Sequence, residues 1–359
     1  MSAVLLRLAC TAAVAAQAVL APVPAVAEPA PPRSVSQLLT DLQALYRQTE
    51  EATESYNATA ERLKRQRAEV TRLDGELTRA RLALQGGRRD AGRLARQQYQ
   101  NSSDLSPYLR LLLARDPQHA LDEGHVIGRL SRERAETVDR LTGAERKRDA
   151  LARAARKALD EQLTLTGKQR RQRDAVTARL GDVERLLASL TPEQLAAVAA
   201  LERTGVGEAQ QRLTASGALG DDKPPSGEGD RAVRYALSQV GKPYQWGAQG
   251  PASYDCSGLT SQAWGHAGTP IPRTSQEQWA RLPKVPLNRL RPGDLVVYFP
   301  GATHVALYVG GGRVVQAPRP GERVEVTPLA SAPVLGAVRP DDPPRGVPPE
   351  AGSRPAAPR

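Results

Sequence analysis

Two cysteines occur in 359 residues, and the sequence around one of them could do chemistry. Cys256 lies in Asp255-Cys256-Ser257-Gly258, which opens a helical pattern through Leu259, Ala263 and Trp264 that ends near Gly268. A thiol at a helix start sees unpaired backbone N–H groups and the positive end of the dipole, and both favour thiolate. Such a nucleophile needs a base that can complete an ion pair and later hand a proton to a leaving amine. His266 lies ten residues further along the same helix, almost three turns away and out of reach. His304 begins a strand after a loop, where its side chain can face a groove, and is the expected base. Gln316, at the far end of the next hairpin, can offer an amide oxygen to the second ring nitrogen. The competing reading is an inert buried thiol.

The elements that must position these groups follow from local pattern. Arg231–Val240 has the spacing of a helix, with Ala232, Val233, Ala236, Leu237 and Val240 on one side. Gly241-Lys242-Pro243-Tyr244-Gln245-Trp246-Gly247 is a turn leading into an aromatic loop, and Pro292-Gly293-Asp294 is a second turn. Leu295–Phe299, His304–Val309 and Arg313–Ala317 are expected strands, the last two joined by Gly310-Gly311-Gly312.

In this order the segments resemble the NlpC/P60 family, papain-like cysteine peptidases that cut peptidoglycan stem peptides. The resemblance covers about 110 residues, Arg231 to Arg339. It rests on Pro243–Gly247, Asp255–Leu259, Pro272-Arg273-Thr274-Ser275, Leu290–Leu295 and His304–Gly310, five motifs in family order. The resemblance implies that Cys256 is the nucleophile, His304 the base and Gln316 the third residue, a position where the family most often has His. It implies that Tyr244 and the Cys256 N–H hold the oxyanion. It further implies that Asp255, Ser257 and Arg273 bind the polar acyl side of the stem peptide, and that Trp246 packs against substrate. Each has a structural rival: Asp255 is a favoured helix cap, Ser257 a helix-start residue, Arg273 an ion-pair partner, Tyr244 and Trp246 core.

The region ahead differs in kind. Residues 34–100 carry Leu42, Tyr56, Leu63, Val70, Leu77 and Leu84 on a seven-residue step, with Thr49 off pattern. Residues 121–190 keep a similar step through Leu130, Ala144, Leu151, Ala158 and Leu165, broken by Thr137. This is the a/d signature of a coiled coil. Gln66 and Arg148 among the interruptions favour an intramolecular hairpin over a parallel dimer. Polar residues and Pro117 break the pattern between the arms, where Leu109, Leu111, Leu112 and Leu113 suggest a short helical tip near 101–122. The hairpin thus spans 34–203. Glycines and prolines from Thr204 predict a flexible linker over 204–230, and the Pro-rich tail 341–359 is expected to be disordered.

Residues 1–27 have the pattern of a secretory signal: Arg7, an apolar run from Leu8 to about Leu20, and Ala25-Val26-Ala27 as a cleavage site. Cys10 falls inside it, which leaves Cys256 as the single mature thiol. The apolar run is shorter than the roughly 20 residues a span requires, and no later segment could cross a membrane. The net charge of +11 comes mostly from arginine, with only seven lysines among 50 basic residues. For an exported chain this suits anionic wall polymers and membrane surfaces rather than nucleic acid. No metal-ligand cluster or phosphate-binding glycine loop is present, so no cofactor is expected.

The expected fold class is therefore α+β: a long coiled-coil hairpin followed by a papain-like domain at 231–340. The resemblance implies a secreted, wall-associated D,L-endopeptidase cleaving the D-isoglutamyl–diamino acid bond through a Cys256 thioester. An amidase acting on the same polymer is the nearest enzymatic rival. The N-terminal arms are similar to those of Gram-positive and mycobacterial division hydrolases. That likeness implies regulation by the coil and docking of its tip on a membrane-bound complex. The architecture also lets the hairpin or linker cover the groove. The alternative is a non-catalytic wall-binding adaptor or an activator of other hydrolases.

Overall fold

The computed structural model describes residues 34–100, 117–221 and 223–342. The signal region 1–27, most of the tip 101–122 and the tail beyond 342 lie outside them.

Two helices dominate the N-terminal part: α1, Val35–Gln100, and α2, Pro117–Ala188. At about 1.5 Å per residue, α1 is ~100 Å long. Leu63, Leu73, Leu77, Ala80 and Leu84 of α1 are buried, as are Ala158, Val176 and Val183 of α2. Arg88 pairs with Glu145, Gln66 Nε2 donates to the Ala158 carbonyl at 2.9 Å, and Leu42 clusters with Val183. One number falls as the other rises, so the helices run antiparallel. Gln66, a break in the apolar pattern, is thus accommodated by a backbone acceptor.

The expected linker is structured differently. A third helix, α3, runs Pro192–Ala215, and α4 begins at Gly227. Thr191 and Gln194 form a reciprocal capping box with Pro192 at the first helical position. Gly205 and Gly207 sit inside α3 at a cost of about 1 kcal/mol each relative to alanine. Tertiary contacts offset this: Leu213 and Leu219 pack against the C-terminal sheet, and Gln210 Oε1 accepts from the Ala330 N–H at 2.9 Å. Among the described residues of 204–230, those between 216 and 226 lie outside regular structure. At the other end, Asp341 pairs with Arg291 at 2.6 Å, so the chain stays attached to the domain past residue 340.

The C-terminal part has helices α4 (Gly227–Leu237), α5 (Cys256–Ala267) and α6 (Ser275–Arg281). Its strands are β1 (Lys284–Val285), β2 (Leu295–Tyr298), β3 (His304–Gly310), β4 (Arg313–Gln316), β5 (Glu325–Pro328) and β6 (Val334–Val338). They form one antiparallel sheet in the order β1-β6-β2-β3-β4-β5. Successive side chains on a strand point to opposite faces, and here both faces are covered. Leu295, Val297, Val305, Leu307 and Val315 pack with Ala232, Ala236, Leu259 and Trp264 of α4 and α5. Val296, Tyr298, Ala306, Tyr308 and Val314 pack on the other side with Leu290 and Leu329. That explains why β2 is buried along its whole length. The Pro-Gly-Asp turn is fixed by Asp294, which accepts from the Arg291 N–H and pairs with Arg339, and by the Trp264 indole on the Gly293 carbonyl.

Candidate active site

Packing of α5 on β3 sets Cys256, the first residue of α5, beside His304, the first residue of β3. Asp255 caps α5, its Oδ1 accepting from the Gly258 N–H at 2.6 Å. Gly258 is required there: a Cβ would collide with the Ala248 carbonyl oxygen. Thiol and imidazole are both buried and close enough to shift each other's titration. On the far side of the ring, His304 Nε2 meets Gln316 Oε1 at 2.7 Å. The Gln316 amide nitrogen donates to Thr327 Oγ1 at 2.8 Å, which turns the amide oxygen toward the histidine.

Next to the thiol lies a polar subsite. Arg273 bridges two residues of the cysteine motif, with Nη2 on Asp255 Oδ2 at 2.6 Å and Nη1 on Ser257 Oγ at 2.7 Å. All three are buried. Asp255 therefore both caps the helix and anchors the arginine. Tyr244 packs in the same core cluster as Cys256. Burial, with Cys256 and Asp255 beside it, holds its phenol protonated and able to donate a hydrogen bond. Trp246 is half-buried at the rim. His266 is elsewhere, stacked on Tyr235 with ring centroids 4.1 Å apart.

This groove is not open. Helix α1 lies across it, and a run of its polar residues is buried there: Glu50, Thr53, Glu54 and Asn57. They recur at helical spacing and so share one face. Glu54 enters deepest. Its Oε1 accepts from Ser257 Oγ at 2.7 Å and lies 3.9 Å from Cys256 Sγ, while Oε2 accepts from the Ser275 N–H at 2.9 Å. Asn57 Nδ2 donates to Asp255 Oδ2 at 3.1 Å. One turn earlier, Glu50 Oε1 is 3.3 Å from His304 Nδ1, the ring nitrogen not engaged by Gln316. Tyr56 meets Trp246 edge to face, with centroids 5.0 Å apart.

Charge in this closed site is arranged against reaction. Burial pushes the Cys256 thiol up to about 11, and Glu54 and Asp255 add to the rise while His304 opposes it. The helix-start expectation of a thiolate is thus outweighed by desolvation. Burial would lower the His304 pKa, but Glu50 and Cys256 raise it well above its ordinary value. Glu50 thus favours a charged ring from 3.3 Å, without a hydrogen bond to Nδ1, while burial favours a neutral thiol. Burial, then Asp255, lifts Glu54 from 4.5 to about 7, against the lowering pull of Ser257 and Arg273.

All eight expected site residues line or flank this groove. The residues that sequence reasoning missed are the groups from α1, the Ser275 N–H and Thr327. A signal for the first was present: Thr49 breaks the heptad just where Glu50, Thr53, Glu54 and Asn57 follow at helical spacing. Among the described residues no helix is long and apolar enough to cross a membrane, and no three His, Cys, Asp or Glu side chains gather as a metal site.

The model of the NlpC/P60 family matches residues 241–336. A probable endopeptidase of Corynebacterium glutamicum is 47% identical over 94 residues, 26% of this chain and 45% of the relative. A probable endopeptidase of Mycobacterium tuberculosis is 38% identical over 120 residues, 33% of this chain and 31% of the relative. The chain thus spans less than half the length of these relatives. Among solved structures, the NlpC/p60 domain of the peptidoglycan hydrolase SagA is 32% identical, covering 31% of this chain and 97% of that one, with a TM-score of 0.29.

Proposed function

The chain belongs to the NlpC/P60 family through a C-terminal domain of the cysteine-peptidase type, and from that premise we propose that it is a peptidoglycan D,L-endopeptidase whose own helix α1 holds it inactive. In this reading it is exported by residues 1–27, acts at the wall during division, and is released when a membrane-bound partner engages the tip between α1 and α2.

The chemistry assigned to the site is thioester catalysis. With α1 withdrawn, the site loses the charges of Glu50 and Glu54 and gains water, so the Cys256 pKa falls and a thiolate–imidazolium pair forms. The thiolate attacks the carbonyl carbon of the D-isoglutamyl amide. The Cys256 N–H and Tyr244 stabilise the oxyanion. The C–N bond breaks as His304 gives its proton to the leaving amine. Water, deprotonated by the neutral imidazole, then attacks the thioester; the C–S bond breaks and the thiolate returns. Gln316 orients the ring throughout. Ser257, Arg273 and the Ser275 N–H receive the carboxylate on the acyl side, and Trp246 packs on the substrate.

The observation that carries the regulatory reading is Glu54, a carboxylate of the chain itself seated in that polar subsite. The fit is tight there and poor one turn away. Glu50 Oε2 and Thr53 Oγ1 are buried without a hydrogen-bond partner among the described residues. Such groups cost about 1–3 kcal/mol each, which keeps the covering helix removable. The dyad and its Gln316 support also favour catalysis over the adaptor reading. The test is digestion of purified peptidoglycan by the full chain carrying Glu50→Ala and Glu54→Ala, read by mass spectrometry. The proposal expects products cut between D-isoglutamate and the diamino acid, and none when Cys256→Ala is added. Products cut at the muramoyl–alanine bond would make the protein an amidase, and activity surviving Cys256→Ala would refute the mechanism.

A further inference from the structure

Helix α1 works as a ruler laid along the groove. Asn57 marks Asp255, Glu54 marks Ser257 and the thiol, Glu50 marks His304, and Tyr46 marks Arg319. Tyr46 stacks on the Arg319 guanidinium at 4.6 Å. At 1.5 Å per residue, Tyr46 is ~12 Å from Glu54 along the axis. Arg319 therefore lies beyond His304, on the opposite side of the dyad from the acyl-side subsite. It follows Gln316 by three residues, and both line one cavity of about 500 Å³ with His304, Glu325 and Thr327.

What holds Arg319 in the closed form is informative. Glu202 of α3 grips it with both oxygens, Oε1 to Nη1 at 2.7 Å and Oε2 to Nη2 at 3.0 Å. This bidentate fork is the geometry by which arginine recognises a carboxylate. From the same loop between β4 and β5, Glu322 holds the guanidinium in place at 2.8 Å. The helical region thus puts one carboxylate into each end of the groove, Glu54 on the acyl side and Glu202 on the other. The distance of ~12 Å equals three to four extended residues, enough for an acyl-side residue, the scissile amide and the whole side chain of the leaving residue.

We infer that Arg319 is a second carboxylate-binding subsite, on the leaving-group side of Cys256 and His304. It selects substrates whose leaving diamino acid carries a free side-chain carboxylate, and Glu202 occupies it while the helices are docked. The selected class is a diaminodicarboxylic acid; lysine, which ends in an amine alone, is disfavoured. Glu322 and Glu325 beside the guanidinium suit the ammonium such a residue carries next to its carboxylate. This inference rests on the endopeptidase reading.

The test uses the full chain with Glu50→Ala, Glu54→Ala and Glu202→Ala. Three stem peptides are compared, ending in diaminopimelate, in diaminopimelate amidated on its side-chain carboxyl, and in lysine. The expected kcat/KM for the free acid is about tenfold or more above the other two, from a charge-assisted bidentate contact. Adding Arg319→Gln brings the three rates together while cleavage of the amidated peptide persists, which also shows that the variant folds. Equal rates on all three peptides with Arg319 intact overturn the subsite and leave the endopeptidase reading standing. Cleavage of none of them overturns that reading, and the subsite's role with it. The comparison with Arg319 intact decides the matter even if the substituted protein does not fold.

Discussion

One helix, α1, packs against two kinds of partner. From Leu63 to Leu84 it faces α2 and buries leucine and alanine. From Thr49 to Asn57 it faces the catalytic groove and buries threonine, glutamate and asparagine. The first stretch is held by apolar burial, which needs only complementary shape. The second is held by hydrogen bonds to Asp255, Ser257 and the Ser275 N–H, with Glu54 and Glu50 close to the thiol and the imidazole. In the proposed regulation the first contact persists, while the second, specific and costly to desolvate, is the one exchanged for substrate.

Breaking the polar stretch should have the largest effect. The hydrogen bonds that Glu54 makes to Ser257 and Ser275 are worth about 0.5–1.5 kcal/mol each, so Glu50→Ala with Glu54→Ala should raise peptidoglycan cleavage by the full chain ~10- to 100-fold. Muropeptide release measures this. In the apolar stretch, Leu63→Ala should instead cost about 2–5 kcal/mol of stability, visible as a lower melting temperature. If Glu54→Ala lowered stability as much as Leu63→Ala without raising cleavage, the distinction between the two contacts would fail.

The polar contact should also respond to pH, in a direction the shifts define. Docking lifts Glu54 from 4.5 to about 7, so the docked form binds the proton more tightly. Protonation of Glu54 therefore favours docking, fully below pH 4.5, and this contribution is lost as pH rises through 7. His304, raised by Glu50, acts in the same sense. Basal cleavage by the full chain, relative to the Glu50→Ala, Glu54→Ala protein, should rise between pH 5 and 8. Glu54→Gln, with no carboxyl proton to lose, should flatten that rise; a profile unchanged by it would remove Glu54 as the sensor. The smallest effect belongs to Tyr56→Ala, which removes one edge-to-face pair worth about 0.5–1.5 kcal/mol and should raise basal cleavage only a few-fold.

The same comparison explains what the sequence made legible. The leucines of α1 and α2 were readable because a helix partner imposes a seven-residue step. The turn, helix and strand signals around Cys256 and His304 were readable because each is local and the five motifs keep their order. Glu50 and Glu54 were not, because their partners lie about 200 to 250 residues away and an exposed helix face carries the same residue types. Only the off-pattern Thr49 marked the place. Helix α3 was missed for a related reason: its glycines suggest a linker, and what holds it is a distant sheet touched by Gln210 and Leu213. The thiolate expectation failed on physics that the sequence does not display, since a helix start favours ionisation only where water or a counter-charge is available.

The most direct measurement is the alkylation rate of Cys256 at pH 8, with the label located by mass spectrometry, in the full chain and in its Glu50→Ala, Glu54→Ala form. A covered thiol whose pKa is near 11 should react slowly in the first, and at least tenfold faster once the two carboxylates are gone. Equal, fast labelling of both proteins would show that α1 does not cover the site and would contradict the account.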